Sequence, residues 1–463
     1  MRTTRIFTSA VLAGGLALTS LSAVSVATPV AGAASLPKCP MSTLNNVTAP
    51  VQISFWEAMS RANETEIESL ANAFNASQSK VHVNVVQQGG YDVTWSKWQA
   101  GLTTGQLPAM AMIGDTNQQG IVDSRSILPV QACENATNFS TKTFLPRIMS
   151  YWKINGVQQG LPFNVSAPIL YYNKQAFTKA GIASAPATLP QLIVAANKLK
   201  ASGQGGMGLK LDPWHMEAWL ATSNQLFVNN NNGRSGRASS AAFNNATGLN
   251  IFTQLNALVK SGAASTNPAT GSSAYDNLLG IGGGKFSMTI DTSAALGTIS
   301  GILGSGQYPN VTLGVAPFPT LTTSPKGAIQ AGGAALYISN KVPAVQQAAA
   351  WQFMSWLDSA ANQAAWSIAT GYVPIRTDAA SQSSVQQYWA ANPAYQVAYN
   401  MLKAGPTTPA TSGAAIGPYD QVRAAINTAE VSMYTAGVKP KAAINAAANS
   451  VTSILKGYNS RVG

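Results

Sequence analysis

Cysteine and histidine are almost absent from this chain: its 463 residues include only Cys39, Cys133, His82 and His215. So small a stock excludes a conventional His/Cys zinc site, and no HExxH, CxxC or GxSxG signature occurs. Charge is scarce as well, since Asp, Glu, Lys and Arg make up 10% of the residues. The surface must therefore be largely neutral and polar. A formal charge of +12 comes from 28 basic against 16 acidic residues. The basic residues are scattered, with no Lys/Arg run and no basic-aromatic platform, which excludes a nucleic-acid partner. Contact with an anionic envelope is the milder consequence. Residues 280–285 (GIGGGK) lack the spacing of a phosphate loop, and Phe286 follows the lysine. They read as the turn into a strand. Beyond residue 33 there is no run of about 18 apolar residues, so no spanning helix is expected there.

What is present begins with an export signal. Arg2 and Arg5 give a positive start, residues 6–26 are apolar or small, and Ala31-Gly32-Ala33 is a small-x-small cleavage site. Residues 1–33 are read as a signal peptide, leaving a mature chain that works outside the cytoplasm, periplasmic, secreted or surface-associated. The Leu36-Pro37-Lys38 that precedes Cys39 is not a lipid-anchor box. In an oxidising compartment two cysteines read as one disulfide, Cys39 to Cys133, against the alternative of two buried thiols.

Strand and helix periods alternate along the mature chain. Residues 51–55 and 81–86 (VHVNVV) alternate as strands, and the intervening ETEIESLANAF puts Ile67, Leu70, Ala71 and Phe74 on one helical face. Helices are predicted over 91–102, 175–180, 189–202, 250–261, 345–357 and 360–370, and helical character over 419–458. Strands are predicted over 109–113 and 285–291. Residues 229–237 and 402–418 read as loops. This rhythm implies an α/β fold, and the length allows two domains.

Nine segments in one order carry a family resemblance: ISFWEAMS, LANAFNASQSKVHV, GGYDVTWSKWQAGL, LPAMAMIGD, LPFNVSAPILYYNKQAFTKAGI, GKFSMTIDTSAAL, AIQAGGAALYIS, AAWQFMSWL and TGYVPIRTDA. Together they resemble the extracellular solute-binding proteins of ABC importers, especially the glycerol-3-phosphate-binding type and its sugar-binding relatives. The resemblance implies a two-lobed, periplasmic-binding-protein-like fold with hinge segments and an interlobe ligand cleft. Lobe boundaries are expected at 34–155 plus about 290–340 for the first, and 156–289 plus about 341–463 for the second.

Aromatic faces pack on the C–H faces of a polyol while polar side chains bond its hydroxyls. The resemblance marks Tyr91, Asp115, Ser166, Trp214, Thr292, Ser293 and Tyr372 as ligand contacts, with Asn164 on the same approach. Each has another reading: Tyr91 as a helix staple, Asp115, Thr292 and Ser293 as helix caps, Asn164 as a turn cap. Gly332 and Gly333 would let backbone N–H groups approach a ligand, or serve a tight chain crossing. Tyr171, Tyr172 and Trp219 read as packing residues, His215 as a surface or capping group, and Arg423 as paired within its helix. Relatives specific for glycerol phosphates carry Gly-x-Arg-x-Gly where residues 413–417 read GAAIG. Ala415 replaces the arginine that would grip a phosphate.

The expected function is capture of a sugar or other polyhydroxylated solute, including a glycerophosphodiester, for import by membrane permease subunits. A monomer without cofactor, metal or covalent chemistry is expected. The alternatives are a surface protein acting in sensing or adhesion, and an exported glycoside hydrolase drawing its carboxylates from Glu57, Asp115, Asp212 and Glu217.

Overall fold

A computed structural model describes residues 36–268 and 275–462. The signal peptide expected over 1–33 lies outside the described residues. In chain order the strands are β1 (Val51–Glu57), β2 (Val81–Gln87), β3 (Met110–Gly114), β4 (Ile127–Leu128), β5 (Lys153–Ile154) and β6 (Val157–Gln158). They continue as β7 (Leu161–Ser166), β8 (Pro168–Asn173), β9 (Met207–Leu211), β10 (Ala264–Pro268), β11 (Met288–Thr292), β12 (Leu313–Ala316) and β13 (Gly332–Ser339).

Two sheets organise the molecule. The first runs β2-β1-β3-β13-β4 with β7 also on β13, and the second runs β10-β9-β11-β8-β12. β1 is parallel to β2 and β3, the arrangement a β-α-β unit produces, and β13 enters antiparallel. β1 alternates inward Ile53, Phe55 and Glu57 with partly exposed residues, whereas β3 is buried throughout and reads as a short apolar run. Helix Ala62–Ser77 buries Ile67, Leu70, Ala71 and Phe74, the face its periodicity defines.

The stretch 161–174 carries two strands in different sheets. β7 pairs with β13 of the first lobe and β8 with β11 and β12 of the second. Ala167, fully buried, is the single residue between them. The chain returns between β12 and β13. It crosses again after helix Ala360–Thr370, which packs on the first lobe, before helices Tyr419–Thr435 and Pro440–Val462 join helix Ala246–Lys260 in the second.

These pairings correct the expected boundaries. β7 and helix Ala344–Leu357 belong with the first sheet, while β12 belongs with the second. Buried apolar strands give no local mark where a chain changes sheets, because both sides of the crossing look like core.

Residues 404–418 form a loop, largely exposed over 404–409 and largely buried over 410–418. Two arginines without carboxylate partners fasten it. Arg147 donates to the carbonyls of Ile329, Met401, Ala404 and Gly405, and Arg234 to those of Ser150, Tyr151, Lys153, Ser412 and Gly413. Arg234 follows a short turn, Asn229–Gly233, in which Asn230, Asn231 and Asn232 are left-handed, a conformation Asn tolerates better than most residues. Cys39 and Cys133 form a disulfide that ties the start of the described chain to helix Val130–Thr137. Among the described residues no helix is long and apolar enough to cross a membrane, and no cluster of His, Cys, Asp and Glu is arranged to hold a metal.

Candidate functional site

A cavity of about 310 Å³ lies between the two sheets. Its first-lobe wall includes Tyr91, Asp92, Asp115, Thr116 and Tyr372; its second-lobe wall includes Lys210, Asp212, Trp214, Asp291, Thr292, Asp420 and Arg423. Ser166, Gly332 and Gly333, at the crossings, complete it.

Tyr91 opens helix Tyr91–Thr104 and lies against Gly114, where a Cβ would come within 2.9 Å of the tyrosine's own Cβ. Its hydroxyl takes a hydrogen bond from the Asn164 amide and lies 3.3 Å from the Tyr372 hydroxyl. Tyr372 stacks on Trp366 with ring centroids 5.5 Å apart, and the neighbouring Val373 N–H donates to the Val165 carbonyl at 2.8 Å. Asn164 is fully buried and absent from the cavity wall, so its place is behind Tyr91. Asp115 begins a short 3-10 turn at the end of β3, where the Thr116 N–H donates to it at 3.0 Å and the Tyr151 hydroxyl at 3.4 Å. Burial, reinforced by Glu217 and opposed by Arg423, raises its carboxyl to about 6.

Helix Pro213–Thr222 is buried on every side. Asp212 caps it by accepting from the Trp214 N–H at 3.1 Å, and Pro213 starts it. Trp214 is thereby held at the mouth, 8% exposed, with its indole N–H unpartnered. Its ring packs where Gly332 has no side chain, since a Cβ there would approach it to 2.5 Å. Gly333, at φ +114°, would bring a Cβ within 2.0 Å of the Asn164 carbonyl oxygen. Both glycines are thus required by close packing at the crossing, the second of the two readings their sequence left open. Trp219 is buried and donates to the Pro319 carbonyl at 2.7 Å.

Thr292 lines the cavity and caps the turn after β11 by accepting from the Ala294 N–H at 3.2 Å. Ser293 does not line it. Its hydroxyl accepts from Ala167 N–H at 3.2 Å and its own N–H donates to the Ala167 carbonyl at 2.8 Å, clamping the crossing. His215 is buried with neither ring nitrogen hydrogen-bonded, and burial lowers its pKa, which corrects its reading as a surface group. Tyr171 is buried and donates to the Thr292 carbonyl at 2.8 Å, while Tyr172 packs on Phe177.

The charged wall is where sequence reading fell short. Lys210 donates to Asp291 at 2.9 Å and lies 3.9 Å from Asp212. Arg423 does not pair within its helix. It grips Glu217 of helix Pro213–Thr222 with two bonds, 2.8 and 2.9 Å, and lies over the Tyr419 ring. Glu217 also accepts from Tyr419 and Gln330, both at 2.9 Å, so four donors occupy a carboxylate that hydrolytic chemistry would need free. The available signal was the spacing of Asp420, Arg423, Asn427 and Glu430 along helix Tyr419–Thr435, a polar stripe at helical period that resembles a solvated face. Ala415 is not on the cavity wall. It is buried in the loop beside Gly233, with its N–H bonded to the Asn232 carbonyl.

Two α/β lobes, three chain crossings and a polar, aromatic cleft between them define a hinged ligand-binding protein. The comparisons agree. The model of the bacterial extracellular solute-binding protein family matches residues 69–395, and the chain belongs to that family. It is 28% identical over 421 residues to the sn-glycerol-3-phosphate-binding periplasmic protein of Salmonella typhimurium, covering 89% of this chain and 94% of the relative. The Escherichia coli K12 counterpart is 27% identical over 429 residues, covering 90% and 95%. The fold matches that of a receptor of Streptomyces glaucescens solved unliganded and in complex with acarbose (TM-score 0.72, 19% identity, 88% of this chain and 98% of that one). It also matches a Mycobacterium tuberculosis protein solved with glycerophosphocholine (TM-score 0.70, 18% identity, 89% and 100%). Members of this family bind solutes, and the chain is an extracellular solute-binding protein by family.

Proposed function

We propose that the protein captures a sugar or another polyhydroxylated solute outside the cytoplasm and presents it, as a monomer, to the permease subunits of its importer. One observation carries the reading: Tyr91, Trp214 and Tyr372 share a cleft with the hydrogen-bonding side chains of Asp115, Ser166 and Thr292. Aromatic faces beside directional polar groups suit a polyol. The curated relatives named above are glycerol-3-phosphate-binding proteins, but a phosphomonoester is gripped best by an arginine or lysine on the wall that has no other partner. Here Arg423 is committed to Glu217 and Lys210 to Asp291. That pairing, rather than the alanine at 415, argues against a phosphate clamp.

A thermal-shift screen of sugars, polyols, glycerophosphodiesters and glycerol-3-phosphate tests the class, because a ligand that binds only the folded state raises its stability. Trp214→Ala and Tyr372→Ala should each weaken the ligand so found at least tenfold, about 1.4 kcal/mol, by calorimetric titration of folded protein. Unchanged affinity in both variants would overturn the site.

A further inference from the structure

The cavity wall is acidic and rich in hydrogen-bond acceptors. Five aspartates, Asp92, Asp115, Asp212, Asp291 and Asp420, face two cations, Lys210 and Arg423, and both cations are already paired with carboxylates. Arg61, exposed near the neighbouring Tyr275, is a third cation within reach but not on the wall. Asp92 and Asp420, both exposed, line the cavity from opposite lobes, on helices Tyr91–Thr104 and Tyr419–Thr435. Partial desolvation beside the cleft, and then the charge of Asp92, raise the Asp420 carboxyl above its usual range. Like charges on facing walls of a cleft disfavour its closure unless something positive lies between them.

A second observation points to the ligand. Asp291 is only 2% exposed and lines the cavity, and one of its carboxylate oxygens has no partner. Such an atom costs free energy until a donor reaches it. The Trp214 indole N–H is the single unpartnered, buried donor among the wall residues described. The wall therefore calls for a ligand with many donors and positive charge. A phosphate, which offers acceptors and negative charge, is mismatched on both counts.

Resting on the polyol reading above, we infer that the solute carries a cationic nitrogen, a protonated or quaternary amine, beside its hydroxyls, and that Asp92, Asp115 and Asp420 receive it. Its hydroxyls reach Asp291 and the Trp214 indole.

The test uses the mature chain and three matched probe pairs in calorimetric titrations at low salt: glucosamine against glucose, the β-1,4 glucosamine dimer against cellobiose, and glycerophosphocholine against glycerol-3-phosphate. In any pair that binds, the amine-bearing member should bind at least tenfold more tightly. That advantage should shrink in high salt, as charge screening requires. It should fall at least fivefold in Asp92→Asn/Asp420→Asn, read as the ratio of affinities within a pair. Equal or tighter binding of the neutral or anionic member overturns the inference and leaves the polyol reading standing. If no pair binds, the best ligand from the wider polyol screen decides: one lacking a cationic nitrogen overturns the inference, and one carrying it supports the inference. If no polyol of any kind binds, both readings fall.

Discussion

At the residue scale the cleft rests on groups that are costly to leave alone. Glu217 is buried against Arg423, Tyr419 and Gln330. Truncating it to alanine strands a guanidinium that is 19% exposed on the cavity wall, and breaking one side of a fully buried pair costs about 3–5 kcal/mol, an upper bound here. Glu217→Ala should therefore lose up to that much stability in urea unfolding, and a loss below about 1 kcal/mol would show that the pair is solvated. Single residues were also where the sequence was most readable. Tyr91, Asp115 and Trp214 lie on one cavity because their motifs place them at the end of a strand or the start of a helix, and Tyr372 joins them from the turn after helix Ala360–Thr370. Lys210 and Asp291 give no signal and Arg423 reads as paired within its own helix, because a charge on a strand or helix reads as solvent-facing or locally paired until its partner, 81 or 206 residues away, is known.

Among elements, the crossing of β7 and β13 sets the tightest tolerance. A methyl added at Gly332 meets the side-chain ring of Trp214, which can shift, whereas one at Gly333 meets the backbone carbonyl of Asn164. Overpacking of this kind costs about 1–3 kcal/mol, and Gly333 also pays for its positive φ. We expect Gly332→Ala to fold and lose ligand affinity through a displaced Trp214, and Gly333→Ala to lose more stability than Gly332→Ala. Urea unfolding and calorimetry on the two variants check the order. Helix Pro213–Thr222 depends on its cap: Asp212→Ala should cost about 1 kcal/mol. A helix buried on every face has no amphipathic stripe, so its central position was not legible.

For the whole molecule, buried carboxyls set the response to pH. Burial raises Asp115 to about 6, Glu57 and Glu134 to about 7, and Glu430 to about 8. A carboxyl whose folded pKa lies above its unfolded value retains its proton in the native state after the unfolded chain has lost it. Stability from these groups is full below about pH 4 and declines until the folded pKa is passed. His215, lowered by burial, acts in the opposite direction, adding stability as pH rises towards the unfolded histidine value. Four carboxyls outweigh one imidazole, so the melting temperature should fall between pH 5 and 8, and Glu430→Gln should flatten the upper part of that fall. A melting temperature that rises steadily over this range would contradict the assignment. Reduction of Cys39–Cys133, which spans 94 residues, should lower stability by about 4 kcal/mol by releasing the unfolded chain, measured as urea midpoints with and without reductant.

The sequence by itself determined the alternation of strands and helices, the apolar face of helix Ala62–Ser77 and the order of motifs that marks the family. These are properties of local periodicity and of short segments, which the chain carries wherever it folds. Only the tertiary structure decided that 161–174 divides between two lobes at Ala167, that Ser293 clamps that division and that Asn164 stands behind Tyr91. It also decided the acidity of the cleft, since opposing Asp92 with Asp420, and neutralising Lys210 and Arg423, requires groups far apart in sequence to meet. Coulomb interactions and packing act over ångströms of space, and no local pattern records which distant residues will share them.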